Sequence, residues 1–411
     1  MRQLNHSPCS RAKQLSRAII APLGANQEKN LQLIVAALIL ALALVGCKNQ
    51  APIGRDAAVN LTNWSAKADV WTLARQDSNG LFPYLYSPVS DASIGNQHAF
   101  GQLIAGYRLA TLAQTRPALT SAHQSQFQAL NNQWLQEHPL GQIIDFKGDR
   151  SLGAQALYLR VLIASTVQTE QHARMAEHFA RLIRDAWRPV EGFLEAIDST
   201  QVSSRFLQRF YTPQAALALL EHHQATGNIE SFDIAVSALD WMERTYPSGD
   251  DRHFHPSQVR WLAESLVLLN KVRPGSDAVQ TLFTLTDELL SIQDRRDFPG
   301  RFWQEKGTNY GRPSIVRDAQ STRVLLMALE HALDLDDKKR VERYQRAAAS
   351  ALENLRAHQY DVGGVEAFPN PGNAVGALRF RYNDALIRLD GVVFSAMAFE
   401  HAAKLAWEGK L

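Results

Sequence analysis

Across residues 61–405 the chain alternates, about six times, between two kinds of helical segment. One kind is charged around much of its surface. Residues 170–187 carry Glu170, His172, Arg174, Glu177, Arg181, Arg184 and Asp185, and residues 336–355 carry Asp337, Lys338, Lys339, Arg340, Glu342, Arg343 and Arg346. The other kind is apolar almost all the way round, as in Ala154-Gln155-Ala156-Leu157-Tyr158-Leu159, Ala215-Ala216-Leu217-Ala218-Leu219-Leu220 and Val392-Val393-Phe394-Ser395-Ala396-Met397-Ala398-Phe399. A helix apolar on every side has to be buried on every side. A chain in water satisfies several such helices by ringing them with amphipathic ones. The pattern therefore predicts an all-α fold, an (α/α)6 toroid of about twelve helices in six hairpins.

The N-terminus stands apart. Arg2, Arg11, Lys13, Arg17 and Lys29 precede an apolar run over 31–45 that ends in Leu44-Val45-Gly46-Cys47. A basic region, an apolar run of roughly 15 residues and a small residue before the cut make a secretory signal. The run falls short of the about 20 residues of a membrane-spanning helix. Leu-Val-Gly-Cys resembles the bacterial lipobox, which implies cleavage after Gly46 and a lipidated Cys47. The expected division is a signal peptide over 1–46, a lipidated cysteine and tether over 47–60, and the toroid over 61–408. The expected place is the bacterial cell envelope, lipid-anchored and periplasm-facing. Lys48 after the cysteine favours the outer membrane.

Of 43 Lys and Arg and 41 Asp and Glu, the first 46 residues hold five and one, so the mature part carries 38 against 40. That balance offers no positive field for nucleic acid, whose binding rests on neutralising phosphates. Cys9 and Cys47 are the two cysteines, so beyond Cys47 the mature part has neither a disulfide nor a thiol nucleophile.

Polar, outer segments are expected near 61–76, 118–138, 170–188, 229–245, 276–295 and 336–357, and apolar, inner ones near 97–115, 152–167, 213–226, 257–271, 317–334 and 389–408. Inner-to-outer connections are short and carry Gly, Pro or Asn, as in Thr226-Gly227-Asn228, which is helix-stop chemistry. Outer-to-inner connections are long, and loops that long in a compact domain are usually functional. Because hairpins alternate direction, all six long loops emerge on one face. An open helical solenoid is the competing architecture; the apolar last helix is a poor cap for one.

The long loops hold aromatics and arginines: Tyr84 and Tyr86; Arg205, Arg209 and Tyr211; Arg301, Trp303 and Tyr310; Arg379, Arg381 and Tyr382. Flat rings stack on sugar C–H surfaces, and guanidinium forks grip carboxylates. Many of these rings can equally plug the loops onto the helices. Carboxylates in the same zone include Asp145, Glu191, Glu195, Asp198, Glu305, Asp318, Asp384 and Asp390. A glycosidase needs two, about 5–5.5 Å apart for retention or 6.5–9.5 Å for inversion, and Glu191, Glu195, Asp318 and Asp390 are the candidates. Asp318 and Asp390 open inner helices and follow Arg317 and Arg388 closely, so capping or ion pairing competes with catalysis. His253 and His255 lack the companions of a metal site, and His255 is taken as a substrate contact. Phosphate loops, Gly-x-Ser-x-Gly and His-Glu-x-x-His are absent from the sequence. No metal or cofactor is expected.

Asp77-Ser78-Asn79-Gly80-Leu81-Phe82-Pro83-Tyr84, the run from Phe210 through Leu219, and Gly376-Ala377-Leu378-Arg379 with Ile387-Arg388-Leu389-Asp390 resemble blocks of six-hairpin toroid proteins. These are related to the C-terminal domain of D-glucuronyl C5-epimerases and to six-hairpin glycosidases. The resemblance implies the toroid and a carbohydrate-related role. Gly391 departs from the epimerase-like pattern, where an aromatic often follows this aspartate. Three readings stay open: cleavage of an oligo- or polysaccharide by an Asp/Glu pair, epimerase- or lyase-type chemistry on a uronate, and a non-catalytic scaffold in glycan export or envelope assembly.

Overall fold

The computed structural model describes residues 55–411, apart from 96, 167–168, 202–203, 246–255 and 304–311, and apart from the side chains of 205, 206, 256 and 257. Cys47, His255, Tyr310 and the Arg205 side chain lie outside the described residues, as do 1–54. The described residues belong to one unit, Ile53–Leu411. Twelve α-helices run through it: α1 Arg55–Leu73, α2 Ala99–Thr115, α3 Thr120–Trp134, α4 Leu152–Ala164, α5 Glu170–Asp185, α6 Arg205–Thr226, α7 Ile229–Thr245, α8 Pro256–Val272, α9 Ala278–Ser291, α10 Ile315–Asp334, α11 Lys338–Ala357 and α12 Leu389–Trp407.

The even-numbered helices form the inner ring. Each packs on the next, and α12 packs back on α2, so the ring is closed. The open solenoid is thereby excluded. The odd-numbered helices lie outside, each against an inner partner. The partner of α1 is α12, so the first helix of the ring closes it with the last. Burial follows the sequence pattern: all residues of α12 from Leu389 through Phe399 are buried, whereas α5 buries one face, with Ala176, Phe179, Ala180 and Ile183.

The axis of the ring is filled rather than open. Arg160 of α4 binds Glu221 of α6 (2.8 Å), and Glu264 of α8 collects Arg160 (3.5 Å), Arg260 (3.0 Å) and Arg323 (3.2 Å). Arg160 lies on the Tyr107 ring of α2, and Arg260 on the Phe394 ring of α12. All six inner helices thus meet in one polar plug. Burial opposes the Glu264 charge, but the three arginines outweigh it and hold its pKa at about 2. Burial pulls Arg260 down to about 10.

Two expectations change. Helix α6 begins at Arg205, not 213, so Arg209 and Tyr211 sit in its first turns. Ser204 caps it by accepting from Leu207 N (3.3 Å), and Pro213 is carried inside the helix. Residues 55–60, expected as tether, are the first turns of α1.

The long loops also contain short strands. Among them β1 (Leu85–Ser87) pairs with β2 (Ala92–Ile94), and the pair β3 (Leu135–His138) with β4 (Gly141–Ile144) precedes α4. After β5 (Trp187–Arg188) and β6 (Gly192–Phe193), β7 (Ile387–Arg388) joins β1 from the other end of the chain.

A repeated clamp fixes these loops. The fourth residue of α2, α4, α6 and α10 is Gln102, Gln155, Gln208 and Asp318. Gln155 receives Ile144 N (2.9 Å) and donates to Ile144 O (2.8 Å). Gln102 does the same with Phe82, and Gln208 with Phe193. Asp318 accepts from Phe302 N (2.9 Å). The clamped side chains are fully buried, so Phe82, Ile144, Phe193 and Phe302 are plugs.

Candidate functional site

A cleft of about 560 Å³ opens where the first turns of α2, α4, α6, α10 and α12 converge. That volume falls in the range of ligand sites, about 300–1,000 Å³. Its wall is built from Tyr84, His98 and Phe100 on one side, Asp149, Ser151, Tyr211 and Gln214 on another, and Arg312, Arg317, Arg381, Arg388 and Asp390 on a third. Trp261 forms part of the lining and carries Arg260 on its ring (4.6 Å), so it joins the cleft to the axial plug.

Tyr84 is set by pairing between chain ends. Its carbonyl accepts from Leu389 N (3.0 Å), and Leu85 lies opposite Arg388. Its ring stacks on His98 (4.7 Å, 17°) and lies 5.7 Å from the Arg388 guanidinium. Gly101 makes this possible, since a Cβ there would lie 2.6 Å from the Tyr84 ring. Gly153 does the same on the opposite wall: a Cβ would stand 2.7 Å from Gln214 Oε1 and 2.9 Å from the Tyr211 ring. Glycine costs a helix about 1 kcal/mol against alanine, and here that cost admits two tyrosines at the cleft.

Asp390 is gripped in bidentate fashion by Arg388, through Nε (2.6 Å) and Nη2 (2.9 Å). It does not cap α12. Asp149 lies in the loop before α4 and accepts from Ser151 N (3.0 Å). Desolvation lowers the His98 pKa, against the pull of Asp390. Burial raises that of Tyr84, helped by the Asp390 charge. Burial also raises that of Tyr211, a direction the nearby Asp149 and Glu195 reinforce and the Ser151 hydroxyl opposes. At neutral pH the cleft therefore presents a neutral imidazole and two protonated phenols.

The other candidates fall elsewhere. Glu191 and Glu195 are exposed on the loop around β6, outside the cleft lining. Asp318 is buried behind the wall, where Tyr382 Oη and Asn354 Nδ2 (3.2 Å) also donate to it. Burial raises its pKa to about 6, although those hydrogen bonds pull it down. Tyr86 is buried, bonded to Asp91 and lies beneath Arg75. Arg301 pairs with Asp294 (2.8 Å) and lies over Phe298. Arg379 lies on Tyr360. Arg209 and Trp303 are half-buried and do not line the cleft. Of the sequence candidates, the structure brings together Tyr84, Tyr211, Arg381 and Asp390.

The architecture defines the chain as a six-hairpin (α/α)6 toroid. Solved structures share the fold. The GH76A α-1,6-mannanase of Salegentibacter sp. HEL1_6 superposes with a TM-score of 0.61 at 13% identity, over 84% of this chain and 99% of that one. A D-mannose isomerase gives 0.64 at 15%, over 87% and 99%. An unsaturated glucuronyl hydrolase specific for heparin gives 0.62 at 11%, over 86% and 98%. A variant of the mannanase is inactive through replacement of two aspartates and holds α-1,6-mannotriose. No protein-family model matches the chain, and no curated protein matches it.

Proposed function

We propose that this chain is a carbohydrate-active enzyme that cleaves a glycosidic bond in an oligo- or polysaccharide held in the cleft. The observation that carries this reading is that two carboxylates, Asp149 and Asp390, share one cleft with Tyr84, Tyr211 and Trp261, in a fold shared with sugar-processing enzymes. Hydrolysis with an oxocarbenium-like transition state needs such a pair. Asp390, held in place by the Arg388 guanidinium, is the second carboxylate of the pair. Asp149, whose described polar contact is to backbone, exchanges protons with the leaving oxygen and the incoming water. Water adds across the C1–O bond, its hydroxyl to C1 and its proton to the departing oxygen.

A second reading rests on His98 and the two tyrosines. A neutral imidazole can take a proton from C5 of a uronate and a phenol can return one, giving epimerisation or, with loss of the C4 substituent, elimination. Incubation with a glycan panel separates the two: hydrolysis makes only new reducing ends, whereas elimination also makes 4,5-unsaturated ends. Solvent deuterium at C5 without cleavage marks epimerisation.

The same proposal includes a lipid anchor at Cys47 and a periplasm-facing position, on the outer membrane of the cell envelope. Its support is the basic leader, the apolar run and Leu-Val-Gly-Cys. Metabolic labelling with a radioactive palmitate should mark the wild-type chain and leave Cys47→Ala unmarked; equal labelling of both would end this part of the reading.

A further inference from the structure

We propose that the cleft selects an acidic glycan, one carrying carboxylate, sulfate or phosphate groups, over its neutral counterpart; this rests on the glycan-binding reading above. Among the described residues, four arginines line the cleft, Arg312, Arg317, Arg381 and Arg388, against two aspartates, Asp149 and Asp390. Arg388 and Asp390 cancel each other in their bidentate pair. Among the described residues, Arg312 and Arg381 have no carboxylate at ion-pair distance; Arg381 lies on the Phe380 ring (4.6 Å) and lines the cleft.

The helix geometry acts in the same direction. Inner helices present their N-terminal ends to the cleft, where the partial positive charge of the helix dipole favours an anion. A neutral sugar gains nothing from either source and offers Arg312 and Arg381 no anionic group. A fork-shaped guanidinium binds carboxylate, sulfate or phosphate in two places.

The test compares one backbone with and without its charge. Oligoglucuronate and its carboxyl-reduced, neutral form are titrated against the purified protein by calorimetry, beside a sulfated and a phosphorylated oligosaccharide. Acidic forms should bind at least tenfold more tightly than the reduced form, with the advantage falling as salt is raised. Arg381→Gln and the exposed Arg312→Gln should each lower the ratio of acidic to neutral affinity severalfold, whatever they do to the neutral form; an unchanged ratio in both would overturn the selectivity. Which acidic oligosaccharide binds tightest identifies the anionic group. Equal or tighter binding of the neutral form overturns the selectivity while leaving glycan binding intact. Binding of none overturns both.

Discussion

Gln155 and Ile144 exchange two hydrogen bonds between the first turns of an inner helix and the loop that precedes it, 2.9 Å from the Ile144 amide and 2.8 Å to its carbonyl. The same relation recurs at Gln102 and Gln208, so the clamp is a repeat of the architecture. Gln155→Ala leaves a buried N–H and a buried C=O unpaired, each costing about 1–3 kcal/mol. A loss of about 2–4 kcal/mol in urea unfolding is expected, with Gln155→Glu intermediate.

At the fourth clamp Asp318 replaces glutamine, and burial lifts its pKa from 3.8 to about 6. The folded state therefore favours the protonated form. The stability this gives is fully present below pH 3.8 and is lost as pH rises through about 6. The loss is on the order of 3 kcal/mol. Asp318→Asn does not titrate, so the stability of the wild type relative to the variant should fall across that window in denaturant unfolding measured at successive pH values. A flat difference would show that Asp318 is ionised throughout.

Gly153 gives a sharper test of the cleft. An alanine there must displace Gln214 and the Tyr211 ring, 2.7 and 2.9 Å away, while improving the helix by up to about 1 kcal/mol. Misplacement of a site group by about 1 Å can cost 100-fold. Gly153→Ala should lower kcat/KM about tenfold to 100-fold with Tm changed little; unaltered kinetics would place Tyr211 outside the reaction.

The helices were legible because all-round apolarity and short Gly- or Pro-bearing turns constrain a chain strongly. Pro213 misled the start of α6, since the cap at Ser204 and the packing of the inner ring carry the helix past it. The loop strands, two to four residues long, are too short to show an alternating pattern. Loop chemistry was legible by type and not by direction. Tyr84 and Tyr382 look alike in sequence, yet one faces the cleft and the other turns inward to Asp318. His98 and Asp149 carry no motif; what places them at the cleft is the adjacency of α2 and α4 in a closed ring. Their common signal, a polar residue one to three positions before an inner helix, becomes readable only once the ring is known.

Release of new reducing ends from the glycan that binds most tightly, compared between the wild type and Asp149→Asn, tests the enzyme reading most directly. The wild type should release them steadily, and the variant at least 100-fold more slowly, with unchanged binding and Tm. Release at equal rates by both would remove Asp149 from the chemistry. If the wild type binds the glycan and forms neither reducing ends, 4,5-unsaturated ends nor C5-deuterated product, the protein is a binding scaffold and the enzyme reading is wrong.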